Sequence, residues 1–472
     1  MTLSDKITTP FQQGSVSEEA RLLFEHGKYS EVIALHQKAL QYQMNDFAIW
    51  AHLGVALREI KRHAASAGCL KRAIELSPKS YSILKHYALS LVMLNRKEEA
   101  LKIFDDLLQV LPNNFLLRAH YAFALRELDM HEKALVQYEA ACALDPENIE
   151  AKWDVSKTYL SLGRYKEGWK DYEVRWRLDK KHGLSSLIDE EKSYTSIRWQ
   201  GEDLKDKTIL IYADHGLGDT ILFSRYIPLV AASGARVLLK CSPTLHRLLH
   251  KIRGLYSFVQ DMAVDKKIDY HVPIMSLAAI FGTEIDSIPS TPSLYVSQDL
   301  PEEVIRKLNL GQDRFKIGIV WSGNPDFAAN YKRSAAFAHF MKLTEVSNVQ
   351  LYSLQKGQAE QELVDNGAQG LVIELGPHLR DFADTAAVLE KLDLVIMTDS
   401  SVAHLAGSIG CPIWNLLCND SYWLYMTQRE DSPWYHSMRL FRQPSPGNWD
   451  SVFKEVVSEL EKLVTQHQQT KK

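Results

Sequence analysis

Pro78, Pro112 and Pro146 stand 34 positions apart, and the residues between them keep the same interval. Tyr87 is matched by Tyr121, Ala88 by Ala122, Leu91 by Leu125, Ala100 by Ala134 and Phe104 by Tyr138. One period earlier Leu53, Gly54, Leu57, Leu70 and Ala73 fill the corresponding places. A fixed period with small residues at fixed points constrains the chain more than its composition does. Each period is one supersecondary unit that cannot bury its apolar face alone and must stack on its neighbours.

The pattern resembles the tetratricopeptide repeat, two antiparallel helices per unit with small residues where they cross and proline at the turn. A weaker unit precedes it, with Gly27, Tyr29 and Ala39 in register, and another follows, with Tyr159, Gly163, Tyr165 and Tyr172. About five units are expected over residues 15–180, behind a flexible N-terminus at 1–14. Such an array presents a concave face suited to an extended peptide or a protein partner, and self-association is the alternative use.

Beyond Trp169 the pattern changes. Trp169, Tyr172 and Trp176 share a helix face and are expected to cap the last repeat rather than to hold a sugar. A polar stretch, DKKHGLSSLIDEEKSYTS, then forms a linker at 181–205. From there strand and helix patterns alternate. Apolar runs at 208–213, 235–240, 316–322, 349–354 and 392–397 read as strands, and helix spacing lies between them. The alternation predicts two Rossmann-like lobes, each a doubly wound parallel sheet, at 206–300 and 314–447. An amphipathic helix at 448–466 is expected to pack back across both lobes, ahead of a tail at 467–472. The fold class is thus α + α/β.

Composition narrows the function classes. Of 472 residues 46% are hydrophobic and 24% charged, with a net charge of −4, which gives no global pull toward nucleic acid or an anionic membrane. Five dispersed cysteines without CxxC spacing read as reduced core residues. The N-terminus lacks an apolar signal region and no run approaches a membrane span, so a cytoplasmic protein is expected.

Three segments carry residues suited to chemistry. In ADHGLGDT (213–220), Gly216 and Gly218 allow tight turns and close approach of a ligand, and Asp219 opens a helix. Catalysis and helix capping are equally open roles for that aspartate. In MTDSSVAHLAGSIGCP (397–412), Ser400 and Ser401 can cap a helix whose free amides would receive a diphosphate, and His404 shares a face with Ser400. Asp399 there is expected to hold backbone amides or a nearby cation. In WSGNPDFAANYKRS (321–334), Lys332 and Arg333 can neutralise a leaving diphosphate. Gln355 and Lys356, in SLQKG, are placed to reach a base or ribose. Neither a D-x-D triplet nor an H-E-x-x-H pattern occurs, so no metal is expected.

These blocks, with GWKDYEVRW, RWQGEDLKDKTILIYADHGLGDTILFSRYIP and REDSPWYHSMRLFRQPSPGNW, resemble the heptosyltransferase-type glycosyltransferases of family 9, which have the two-lobed GT-B fold. Over residues 15–460 the whole chain is similar to bacterial fusions of tetratricopeptide repeats with such a domain. The resemblance implies inverting, metal-independent transfer from a nucleoside-diphosphate sugar, with no cofactor beyond that donor. It makes Asp219 the base, Arg333 with Lys332 the phosphate-binding cations, and Asp399, Ser400, Ser401 and His404 the diphosphate block. It makes the first lobe the acceptor side and the second the nucleotide-sugar side. Where the family often has threonine and a small residue, this chain has Ser400-Ser401 and keeps the hydroxyl. A protein acceptor recruited by the repeats, such as flagellin or another surface protein, is one expectation. Transfer to a lipopolysaccharide or capsule glycan, and a degenerate transferase serving as a scaffold, are the alternatives.

Overall fold

The computed structural model describes residues 16–178, 194–259, 268–311, 313–327 and 329–470. Expectations for residues 1–14, for 181–193 of the linker and for the last two residues lie outside this set. The chain divides into two compact units, Met1–Leu162 with Asp171–Ser186, and Gly163–Lys170 with Leu187–Lys472.

The first unit is built of helices in antiparallel pairs: α1 (Glu18–Glu25) with α2 (Tyr29–Leu40), α3 (Phe47–Glu59) with α4 (His63–Leu76), α5 (Tyr81–Met93) with α6 (Lys97–Val110), and α7 (Phe115–Glu127) with α8 (His131–Leu144). Next come α9 (Ile149–Ser161) and α10 (Tyr165–Tyr172), the latter divided between the two units. The sequence period has a backbone counterpart. Gly27, Lys61, Asn95, Asp129 and Gly163, one period apart, all have positive φ, between 57° and 76°. Each supplies the left-handed residue that ends the first helix of its pair. Only two are glycine, so the turn is poorly visible in composition, although asparagine and aspartate also tolerate that region.

The helix starts share the period. Asp46, Asn114 and Asn148 cap α3, α7 and α9 through side-chain bonds to backbone amides, and Ser80 occupies the same position before α5 without one. Within a pair a small residue lets α3 and α4 approach. A Cβ on Gly54 would lie 2.7 Å from Leu70 Cγ. Phe104 stacks on Tyr121 with ring centroids 5.0 Å apart, so α6 of one pair is locked to α7 of the next. Another column in this register, His52, His86 and His120, is buried, and His36 Nε2 lies 2.6 Å from His52 Nδ1.

The second unit holds two sheets. The first orders its strands β1-β5-β2-β3-β4, all parallel: β1 (Ile197–Arg198), β2 (Thr208–Tyr212), β3 (Arg236–Lys240), β4 (Leu255–Phe258) and β5 (Tyr270–Pro273). The second is ordered β11-β12-β10-β9-β6-β7-β8, with β6 (Phe315–Val320), β7 (Val349–Ser353), β8 (Val372–Glu374), β9 (Leu394–Thr398), β10 (Ile413–Leu417), β11 (Asp431–Ser432) and β12 (Tyr435–Arg442). Among the described residues of this sheet only the β11–β12 pair is antiparallel. In each sheet the order reverses beside the first long strand, between β2 and β5 and between β6 and β9. Ligands of doubly wound sheets bind at the carboxyl ends of strands at such reversals.

Several strands escape the sequence reading. β4, β5 and β12 mix polar with apolar residues, and β10, although mostly apolar and buried, follows directly on a helix and Pro412. The C-terminal helix also differs from expectation. It spans Trp449–Thr470, running through the stretch read as a tail, because nothing in that stretch breaks a helix. Trp449, Val452, Phe453, Val456, Leu460 and Val464 join the core of the seven-stranded sheet with Ile317, Leu351 and Ile396. The helix therefore belongs to the second sheet rather than crossing both. Trp169 is also placed otherwise than expected. Its indole N–H donates to Thr283 O at 2.7 Å and its ring meets Trp423 edge-on, whereas Tyr172 packs on Trp153 of the repeats.

Candidate active site at two strand reversals

The loop after β2 turns directly into the helix Leu217–Phe223, and Asp219 is its third residue. Its Oδ2 accepts from Gly216 N at 3.1 Å, which caps the helix, while its Oδ1 accepts from the Tyr422 hydroxyl at 3.3 Å. Of the two roles open to this residue, capping is the one seen, through Oδ2, while Oδ1 faces the Tyr422 hydroxyl. Asp214, earlier in the same loop, is buried and accepts from Met275 N at 3.2 Å, so it ties the loop to the end of β5.

The helix meets the helix Ser401–Ile409 of the other sheet at close range. A Cβ on Gly218 would lie 2.5 Å from His404 Cδ2 and 3.2 Å from Ser401 Cα. The close approach that Gly218 permits is thus made by the chain's own second helix. A Cβ on Gly216 would have only an ordinary contact, 3.4 Å from Asp219 Oδ2.

Ser400 is the N-cap of the helix Ser401–Ile409, but its side chain makes no capping bond. Its Oγ is buried and has no hydrogen-bond partner among the described residues, which is costly unless something else satisfies it. Thr398 Oγ1, at the end of β9, is in the same condition. His404 Nδ1 lies 3.1 Å from Tyr435 Oη, and burial lowers the histidine's pKa against the opposing pull of Asp399 and Asp219. The ring is held neutral beneath the helix start.

Arg333 ends the short helix Asn330–Arg333 in the loop after β6. Its guanidinium lies over the Phe327 ring at 4.7 Å, donates from Nε to Asn330 Oδ1 at 3.3 Å and stands 3.7 Å from Asp399 Oδ2. It crosses Gly323 so closely that a Cβ there would lie 2.6 Å from Arg333 Nη2. Lys332 is half-buried on the same turn. Asp399 accepts from Tyr425 Oη at 2.7 Å through its other oxygen. Of the two roles read for Asp399, the one realised is the cation partner.

Gln355 and Lys356 are engaged differently from the sequence reading. Gln355 is buried; its Oε1 accepts from Trp321 N and Ser322 N, and its Nε2 donates to Ser322 O and Lys356 O. It latches the end of β7 to the end of β6, so its amide has no group left for a base. Lys356 Nζ donates to Leu379 O at 2.6 Å.

The residues missed from the sequence are three tyrosines and an arginine. Tyr422, Tyr425 and Tyr435 each meet a side chain named above, and Arg225 lies buried with its guanidinium over the rings of Trp434 and Tyr435. Tyr422 and Tyr425 share one turn, pinned by Arg442, which donates to Tyr425 O, Met426 O and Ser421 Oγ.

Comparisons with known proteins bear on part of this picture. A tetratricopeptide-repeat model matches residues 47–80, the α3–α4 pair, and the N-terminal helical array is of that type. Protein FlbA of Caulobacter vibrioides is 26% identical over 331 residues, a match covering 64% of this chain and 53% of the relative. The chain thus spans about half the length of that curated relative. Among solved structures, MamA from Desulfovibrio magneticus RS-1 is 14% identical with a TM-score of 0.28, covering 38% of this chain and 100% of its own. A MamA from AMB-1 is 19% identical with a TM-score of 0.28, covering 37% of this chain and 100% of its own. No helix among the described residues is long and apolar enough to cross a membrane.

Proposed function

We propose that the second unit is an inverting, metal-independent glycosyltransferase of the GT-B type, which moves a sugar from a nucleoside diphosphate to an acceptor hydroxyl. The observation that carries this reading is the convergence of Asp219 from one sheet with Arg333 and the start of the helix Ser401–Ile409 from the other. That helix start has no side-chain cap and presents an unpartnered Ser400 hydroxyl, features that suit a diphosphate. Arg333, paired with Asp399, supplies a cation for charge that develops on the leaving group.

An alcohol, only very weakly acidic, must lose its proton as the glycosidic bond breaks, and Asp219 is the carboxylate available to take it; general-base help is worth about 10²- to 10⁴-fold. The repeat array in this reading recruits the acceptor, a polypeptide laid along its concave face. A surface protein is the acceptor class we favour over a lipopolysaccharide or capsule glycan, because repeats of this kind bind protein.

The test is thermal unfolding of the full chain against UDP, GDP, ADP and CMP in EDTA. A ligand at 100 times its Kd adds about 2.7 kcal/mol to the state that binds it. A shift with one nucleotide that is lost in Arg333→Ala supports the reading. Absence of any shift overturns it and leaves a scaffold.

A further inference from the structure

Asp219 has two carboxylate oxygens, and both are engaged. Oδ2 takes the Gly216 amide of its own helix cap, a bond fixed by the local backbone. Oδ1 takes the Tyr422 phenol, a residue 203 positions away. That second donor is an O–H group, which is the chemistry an acceptor hydroxyl or a water brings to a general base. Its 3.3 Å length exceeds the usual 2.7–2.8 Å of an O–H···O bond, so it is the weaker of the oxygen's options and can be exchanged.

Tyr422 does not reach Asp219 by chance of a wandering loop. The turn Trp423–Tyr425 follows it directly, Arg442 clamps the turn through Tyr425 O, Met426 O and Ser421 Oγ, and Tyr425 is bonded to Asp399. The Asp219 helix in turn is seated on the other helix at Gly218. Phenol and carboxylate are therefore each positioned by built structure, and the long bond between them is the contact that can open.

We propose that the Tyr422 hydroxyl occupies the position an acceptor hydroxyl takes on Asp219, keeping the carboxylate from activating water until the acceptor displaces it. The inference rests on the transferase reading above and deepens it. Without such a placeholder, a water on Asp219 Oδ1 would attack the anomeric carbon. The bond from that carbon to the diphosphate oxygen would break, the nucleoside diphosphate would leave with the electron pair, the water proton would pass to Asp219, and the donor would be wasted as free sugar. An acceptor hydroxyl follows the same course with its own oxygen forming the new bond.

The experiment measures nucleoside diphosphate released by the full chain, with no acceptor, from UDP-glucose, UDP-N-acetylglucosamine, GDP-mannose and ADP-glucose. Tyr422→Phe removes only the hydroxyl and should speed release by about tenfold or more, the factor that one hydrogen bond to a charged group carries. Tyr422→Ala serves as a second variant with the same expected sign. The gain should vanish in Asp219→Asn/Tyr422→Phe, while the unfolding midpoint and the nucleoside-diphosphate affinity of Tyr422→Phe stay at the wild-type values. Release that is unchanged or slower with nucleotide binding intact overturns the proposal, as does a gain that survives loss of Asp219. Slower release would make Tyr422 a positioning residue for the base. If no nucleoside diphosphate binds the wild-type chain, the transferase reading fails and the placeholder falls with it.

Discussion

Tyr425 donates its hydroxyl to Asp399 Oδ1 at 2.7 Å from a fully buried position, and burial next to that carboxylate pushes the phenol pKa well up. The phenol stays protonated and remains a donor. Because the second oxygen of Asp399 faces Arg333, the tyrosine acts on the guanidinium through the carboxylate. Tyr425→Phe should loosen Arg333 and weaken binding of the nucleoside diphosphate by about 1.5 to 3 kcal/mol, the value of a hydrogen bond to a charged group. The corresponding nucleoside should be little affected. Isothermal titration of both ligands checks this, and equal losses for the two would count against it.

Asp219→Asn keeps an oxygen for the Gly216 amide and so keeps the helix cap. It should lower turnover by about 10²- to 10⁴-fold and leave nucleotide affinity unchanged. Turnover equal to wild type would remove Asp219 from the role of base.

Gly218→Ala forces a methyl into the His404 ring and the Ser401 backbone. The backbone contact cannot rotate away, so the two helices must separate. Overpacking of this kind costs about 1–3 kcal/mol, and calorimetry should show the second unit melting earlier. An unchanged transition would mean that the helices slide apart without cost.

Phe104→Ala deletes a fully buried ring stacked on Tyr121 and should destabilise the helical array by about 3–5 kcal/mol. Since repeats communicate only through neighbours, denaturant unfolding should also broaden as the α6–α7 junction fails. A midpoint shift without broadening would contradict that account.

The array should lose stability in mild acid. Burial lowers His36 to about 4, partly opposed by Asp46, and lowers His52 to about 3 with help from His36 and Arg21. Their ordinary value is 6.5. Above it both rings are neutral in folded and unfolded chains and stability does not depend on them. As pH falls below it, the unfolded chain takes up protons that the folded chain refuses, so stability drops at about 1.4 kcal/mol per pH unit for each ring. The loss levels off near the folded values. Urea midpoints of the helical transition measured between pH 7.5 and 4.5 should fall steadily, and a flat profile would refute the neutral pair.

The repeats were legible because the period imposes the same small and aromatic residues at every turn. The left-handed turn residues were half-hidden, since Lys61, Asn95 and Asp129 fill places where Gly27 and Gly163 betray the same backbone. The sheets were legible where a strand is buried on both faces, as in β2 and β7. They were not legible in β12, whose alternation of exposed and buried residues is broken. In the site, Asp219, Arg333 and Ser400 stood out because glycines and strand ends flank them. Tyr422 and Tyr425 did not, because two aromatic residues three apart beside tryptophan look like core. Gln355 misled for a related reason: a polar side chain at a strand end looks free until the neighbouring strand's amides are seen to claim it.

The left-handed residues at Gly27, Lys61, Asn95 and Asp129 give each helix pair of the first unit the same kind of turn. A chain assembled this way has a length set by a count rather than by a shape. Whole repeats can be gained or lost in inheritance without recasting the remainder, whereas a deletion of a few residues inside one repeat throws every later junction out of phase. The reach of the array is consequently free to drift in steps of one repeat.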